Sequence, residues 1–213
     1  MFRDRTQAGA ALAAALPDLR GRSNVTVVGI ARGGVEVAAE LAELLDLPMD
    51  VLTVKKVPMP GYPELAMGAV APMGERFTNR RIASVLTTRQ IEAAYDAAAA
   101  EARAMDERLR HGLPLNLAGR LALIVDDGAA TGATVRAAIA ACRNAMARQM
   151  AIALPVLPQP AAERLAHDCD RLVILRAPQR FRAVGQFYED YDPVTEDRIR
   201  ELLGRHFPAV EPV

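Results

Sequence analysis

Tryptophan is absent from the chain, and only two cysteines and three histidines occur in 213 residues. Cys142 and Cys169 lie far apart, with neither CxxC spacing nor histidine neighbours. A disulfide framework and a zinc site are therefore not expected, and a reducing compartment is the default. His111, His167 and His206 are scattered with no ligand spacing, which argues against a metal box. Neither charge is in excess, since 26 Lys+Arg balance 26 Asp+Glu. With no block of like charge and no helix-turn-helix signal, nucleic acid is not an expected partner. No apolar run approaches the ~20 residues that span a bilayer, and the opening MFRDRTQAG lacks a signal-peptide core. A soluble, cytoplasmic protein with no membrane partner is expected. The absence of GxxxxGK[ST] excludes a P-loop NTPase, and the first glycine turn lacks the GxGxxG spacing of a dinucleotide site.

What is present is apolar bulk, 51% of residues, enough for one sizeable α/β domain over residues 1–213. Ala8, Ala11, Leu12, Ala15 and Leu16 share one face of a helix over Asp4–Leu16, stopped by Pro17. The β-branched run Val25–Ile30 reads as a strand. It runs into the turn Ala31-Arg32-Gly33-Gly34 and then a helix, the first half of a βαβ unit. The segment MDVLTVKKV reads as a second buried strand ending in Lys55 and Lys56. The following PMPGYPELAMGAVAPMG is too punctuated by proline and glycine for a regular element. Ile91, Ala94, Tyr95, Ala98, Ala102, Met105 and Leu109 recur at helical spacing, predicting an amphipathic helix over Arg89–Arg110. MAIALPV and RLVILRAP read as later strands, with a helical turn between them, and Thr195 opens a last helix with acids in its first turn.

The most informative stretch is Leu121–Thr134, LALIVDDGAATGAT. Apolar residues form a buried strand that ends in Asp126 and Asp127. Gly128, Ala129, Ala130, Thr131, Gly132, Ala133 and Thr134 then lead into a helix, leaving backbone N–H groups open to an anion. The two acids can accept hydrogen bonds from sugar hydroxyls or approach a metal ion. Together they suit a sugar phosphate.

Four apolar residues, two acids, a small loop and Thr-Gly-x-Thr make this stretch resemble the phosphoribosyl pyrophosphate (PRPP) motif of type I phosphoribosyltransferases. The Ala31–Gly34 turn is similar to that family's pyrophosphate loop. Phe2–Arg5, GYPELAMGAVA and VGQFYEDY resemble a stand-alone subgroup. The resemblance runs from about Phe2 to Leu203. It implies a central, mainly parallel sheet with helices on both faces, a helical insertion at about 76–112 and a C-terminal hood at about 176–203. It also implies a non-proline cis peptide at Ala31–Arg32.

By the same resemblance, the activity is transfer of a 5-phosphoribosyl group from PRPP to a small-molecule acceptor with release of pyrophosphate. Asp126 and Asp127 would hold the ribose hydroxyls, and the Gly128–Thr134 loop the 5′-phosphate. Arg32, with Ala31, Gly33 and Gly34, would stabilise pyrophosphate, and Lys55 or Lys56 could add a point charge. Mg²⁺ would arrive bound mainly through the substrate's own oxygens, with no direct protein ligand required, Asp126 and Asp127 being the acids able to approach it. The proline-rich segment would be a lid over PRPP, and relatives often dimerise. Ala130 stands where 6-oxopurine enzymes carry a third acid, which disfavours that acceptor class. Glu64, Glu189 and Asp190 remain as alternative bases. A non-catalytic PRPP-binding regulator on the same fold, or another sugar-phosphate enzyme, is the rival reading.

Overall fold

The structure, a computed structural model, describes residues 1–206; positions 207–213 of the expected domain lie outside them. Helix α1 (Arg5–Ala14) is started by Asp4, whose carboxylate accepts the Gln7 N–H at 2.7 Å. Then follow β1 (Val25–Ala31), α2 (Gly33–Leu45), β2 (Met49–Thr53), β3 (Lys55–Met59), β4 (Tyr62–Val70) and β5 (Arg76–Thr78). Helices α3 (Arg80–Ala83) and α4 (Thr88–Arg110) precede β6 (Leu121–Val125), α5 (Ala133–Asn144) and β7 (Gln149–Val156). The described chain ends with α6 (Gln159–Leu165), β8 (Arg171–Arg176) and α7 (Glu196–His206).

Five strands form a parallel sheet in the order β2-β1-β6-β7-β8. Successive side chains on a strand point to opposite faces, and both faces are buried here. Val25, Val27, Leu123, Val125, Ala151 and Ala153 pack into one core with α1, α2 and α7. Val28, Ile30, Ala122, Ile124, Ile152 and Leu154 join the other with α5 and α6. The expected parallel sheet with helices on both faces is therefore present. No helix among the described residues is long and apolar enough to cross a membrane.

Three expectations are corrected between residues 49 and 78. MDVLTVKKV is not one strand. Thr53 pairs with Ala31 in the parallel sheet, and two residues on Lys55 pairs with Val70 in a separate antiparallel sheet, β3-β4-β5. A continuous apolar run does not reveal that its pairing partner changes midway. The proline-rich stretch that follows is not irregular either, because it carries the turn and the nine residues of β4. Its prolines sit where a ladder tolerates them. Pro58 lies at register shifts on the edge strand β3, and Pro63 lies beyond the part of β4 that pairs with β5. Gly61, at φ 84°, makes the turn. The segment expected as a helical insertion also begins with a strand, β5, before α3 and α4.

Helix α4 fastens the two sheets together. Its Tyr95, Ala98 and Ala99 pack on Val57, Met67 and Val70 of the small sheet, while Met105 and Leu109 enter the main core. At its end Arg110, 4% exposed, bonds Asp50 Oδ1 at 2.8 Å and the carbonyls of Val51 and Leu113, each at 2.9 Å. Burial pushes the carboxyls of Asp50 and Asp106 up against the opposing pull of Arg110. Arg110→Met should therefore leave two half-buried acids uncompensated and destabilise the fold by about 3–5 kcal/mol, measured by urea unfolding at neutral pH.

Candidate active site

The strand order reverses beside β1: the chain moves outward to β2, then returns to place β6 on the other flank. Crevices form at such switch points, at the carboxyl ends of the strands. Parallel pairing with Gly29 opposite Val125 sets the Arg32–Gly34 turn beside Asp126 and Asp127. The two segments are 94 residues apart in sequence (126 − 32).

The glycines of the turn are required by this contact. A Cβ on Gly33 would overlap Asp127 Oδ2, and one on Gly34 would lie 2.7 Å from Asp126 Cα. The peptide between Ala31 and Arg32 is cis. Beyond the acids, Gly132 at φ 76° caps α5 in a left-handed conformation. The open-loop expectation narrows here. The Ala129 N–H is bonded to the Val156 carbonyl at 3.0 Å and that of Ala133 to the Thr131 hydroxyl at 3.3 Å. Among the described residues, the N–H groups of Gly128, Ala130, Thr131, Gly132 and Thr134 have no such partner, so five of the seven loop N–H groups are left for an anion.

An open cleft of about 1170 Å³ covers the crevice. Ala31, Arg32, Gly33, Lys55, Lys56, Asp126, Asp127 and all of Gly128–Thr134 line it; Gly34 lies behind, packed on Asp126. Of the three candidate bases Glu64 lines the cleft, whereas Glu189 and Asp190 do not. Those two lie where the C-terminal segment is tied to the chain start, their N–H groups bonded to the Phe2 and Arg3 carbonyls, each at 2.8 Å.

The acids are buried, Asp126 at 8% and Asp127 at 7% exposure. Burial first, and the adjacent charge of Asp127 second, push the Asp126 carboxyl well above the usual carboxylate range. Asp127 is bonded through Oδ2 to Arg5 Nε at 2.9 Å, and its carbonyl accepts the Tyr188 hydroxyl at 2.6 Å. Burial loosens the proton on Arg5, but the bond and charge of Asp127 outweigh it, and the guanidinium pKa rises. Burial raises the phenols of Tyr188 and Tyr191, and the Asp127 charge adds to it. Phe77, Arg136, Arg164, Arg182, Val184 and Tyr191 also line the cleft. Sequence reasoning did not name Arg5 as a site residue. Its signal was an arginine three residues before Ala8 and seven before Leu12, on the apolar face of a helix.

Residues 3–192 match the family model described as phosphoribosyl transferase domain. The chain belongs to the phosphoribosyl transferase family. Within it, a protein of Mycobacterium tuberculosis H37Rv, provisionally named a phosphoribosyl transferase, is 40% identical over 210 residues. That alignment covers 96% of this chain and 47% of the relative, so the chain spans about half the length of the curated relatives it matches. The crystal structure of TT1426 from Thermus thermophilus is 38% identical with a TM-score of 0.79, over 96% of this chain and 98% of that one. The AQ2163 protein of Aquifex aeolicus, at 11% identity and TM-score 0.52 over 85% of this chain and 76% of that one, shares the fold alone.

Among the described residues no three His, Cys, Asp or Glu side chains form a metal cluster. Two buried acids, one of them bound to Arg5, fit a cation that brings most of its oxygens with the substrate better than a resident ion.

Two stability changes follow for this family member. Asp126 releases its proton more readily unfolded than folded. Its contribution to stability is therefore fullest below the unfolded range and is lost as pH rises through the raised folded value. Asp126→Asn should raise the melting temperature at pH 7, by about 2–4 °C for each kcal/mol relieved, with the gain shrinking near pH 4 in a pH series of thermal melts. Gly33→Ala should cost about 1–3 kcal/mol by forcing the turn off Asp127, read in urea unfolding.

Proposed function

We propose that the chain transfers the 5-phosphoribosyl group of PRPP to a small-molecule nucleophile, nucleobase-like or amine, with release of pyrophosphate. The observation that carries this reading is the juxtaposition at the β1/β6 switch point: a basic glycine turn, a buried acid pair and an anion cradle open into one cleft. A ligand spanning all three has an anion at each end and hydroxyls between.

In this reading the Gly128–Thr134 loop, through its unengaged N–H groups and the hydroxyls of Thr131 and Thr134, binds the 5′-phosphate. Asp126 and Asp127 accept hydrogen bonds from the 2′- and 3′-hydroxyls and hold the ribose ring. Arg32, Lys55 and Lys56 gather the charge of the departing pyrophosphate as the C1′–O bond breaks, and the acceptor forms its new bond to C1′. The rate gain comes from positioning and charge stabilisation. Bound with the substrate beside Asp126 and Asp127, Mg²⁺ supplies further neutralisation of pyrophosphate. The hairpin β3–β4, carrying Glu64 and Leu65 at the cleft, excludes water from the electron-poor ribose centre. The segment 176–203 acts as a hood, with Val184 over Gly128 and Arg182 and Tyr191 facing the acceptor. Residues 1–213 work as one phosphoribosyltransferase domain in cytoplasmic nucleotide metabolism, and a homodimer is the proposed assembly.

The test is pyrophosphate release from Mg²⁺-PRPP with a panel of nucleobases and amines. Turnover is expected with at least one acceptor. Arg32→Ala should lower kcat by about 10²–10³. Asp126→Asn with Asp127→Asn should abolish PRPP binding in calorimetry. Binding without turnover of any acceptor would instead favour a regulatory module, and no PRPP binding by the wild type would overturn the reading.

A further inference from the structure

Arg5 is the first residue of α1, and its side chain is 8% exposed. It lies on the face that carries Ala8 and Leu12 into the core, a position where an uncompensated cation is costly. It is compensated on several sides. Besides Nε to Asp127 Oδ2 at 2.9 Å, its Nη1 bonds the Asp192 carbonyl at 2.8 Å and lies 3.6 Å from Glu36 Oε2. The guanidinium carbon sits 4.1 Å from the centre of the Tyr191 ring. The segment supplying the Tyr191 and Asp192 contacts is tied to residues 2 and 3. The Phe2 N–H bonds the Phe187 carbonyl at 2.7 Å, and the Phe2 and Tyr188 rings lie 5.5 Å apart. Two segments far apart in the chain thus meet at one acid, Arg5 bonding its carboxylate and Tyr188 its carbonyl.

We propose that Arg5 is a positioning residue of the ribose subsite, fixing the orientation of the Asp127 carboxylate through the Nε–Oδ2 bond. The proposal rests on the PRPP reading above. Arginine suits the task because its planar fork holds Asp127 and the Asp192 carbonyl at once. Freed of this partner, Asp127 turns among rotamers and presents its acceptor oxygen to the ribose only part of the time. Pyrophosphate alone, bound at the Arg32 turn, does not sense the change.

Calorimetry on the full chain tests this, with Mg²⁺-PRPP and, in metal-free buffer, pyrophosphate titrated into wild type, Arg5→Met, Arg5→Lys, Asp127→Asn and the Arg5→Met/Asp127→Asn double variant. Arg5→Met should weaken PRPP about 10–100-fold, as loss of a supporting partner does elsewhere, with pyrophosphate affinity unchanged. Arg5→Lys should recover part of the loss. In the Asp127→Asn background Arg5→Met should add less than about twofold, because the two residues act through one interaction. Should Arg5→Met not fold, Arg5→Lys decides, with PRPP weakened by at least about threefold and pyrophosphate unaffected. Equal PRPP affinity in the arginine variants, parallel loss of pyrophosphate, or a full extra loss in the double variant would overturn the assignment. A wild type that does not bind PRPP overturns the proposed function itself, whereas a wild type that binds it with silent arginine variants overturns only the role of Arg5.

Discussion

Two neighbouring carboxylates buried at the end of a central strand repel each other and lose hydration, and the protein must compensate both effects. Much of the architecture around the cleft answers that constraint. The Asp127 N–H is turned back onto Asp126 Oδ1 at 2.9 Å. Gly33 and Gly34 carry no Cβ, so the neighbouring turn packs directly onto the pair. Arg5 supplies the cation from the first helix, and the C-terminal segment holds Arg5 in turn. The acid pair is a cost to the fold and, in the proposed reaction, an asset that meets the hydroxyls and cation of the substrate.

Around this centre the binding surface divides by element. The anion cradle belongs to the start of α5, the basic turn to the end of β1, and the lysines to the strand where the small sheet departs. Each is held by regular structure: β1 and β6 by parallel pairing, the small sheet by α4. The side formed by the segment after β8 differs. Between β8 and α7 the chain has only a short 3-10 turn at Val184–Phe187, and it is held by aromatic packing and by backbone bonds to residues 2 and 3. Phe181 and Phe187 stack at 5.8 Å, and Tyr188 and Tyr191 at 5.1 Å. In the proposed reaction the regular elements would hold the donor and this loop-built side would face the acceptor, an arrangement in which loops can vary while the scaffold stays.

The helices and central strands were legible because burial imposes periodicity: α4 shows its apolar face in every turn, and β6 is apolar from Leu121 to Val125. The small antiparallel sheet was not. Strands β3 and β5 are short, β3 and β4 are interrupted by proline, and all three are partly exposed, so they carry no clean alternation, and the departure at Val54 depends on which strand lies alongside. At the site, the acids, the glycine turn and the threonine loop were legible because each is a short segment with its own chemistry. The two N–H groups of that loop already in use were not, since their partners are a carbonyl of β7 and a hydroxyl whose rotamer only the fold sets.

The amino-acid order alone determined the α/β class, through the alternation of strand and helix patterns along the chain, and the acid pair and small-residue loop, each written within a few consecutive residues. Tertiary structure decided what stands beside them. Parallel pairing of β1 with β6 joined the basic turn to the acids. Packing of the first helix beside the acids brought Arg5 onto Asp127, a contact across 122 residues. Sequence spacing carries no record of such a pairing, because its geometry exists only once the sheet has formed and the first helix has packed against it.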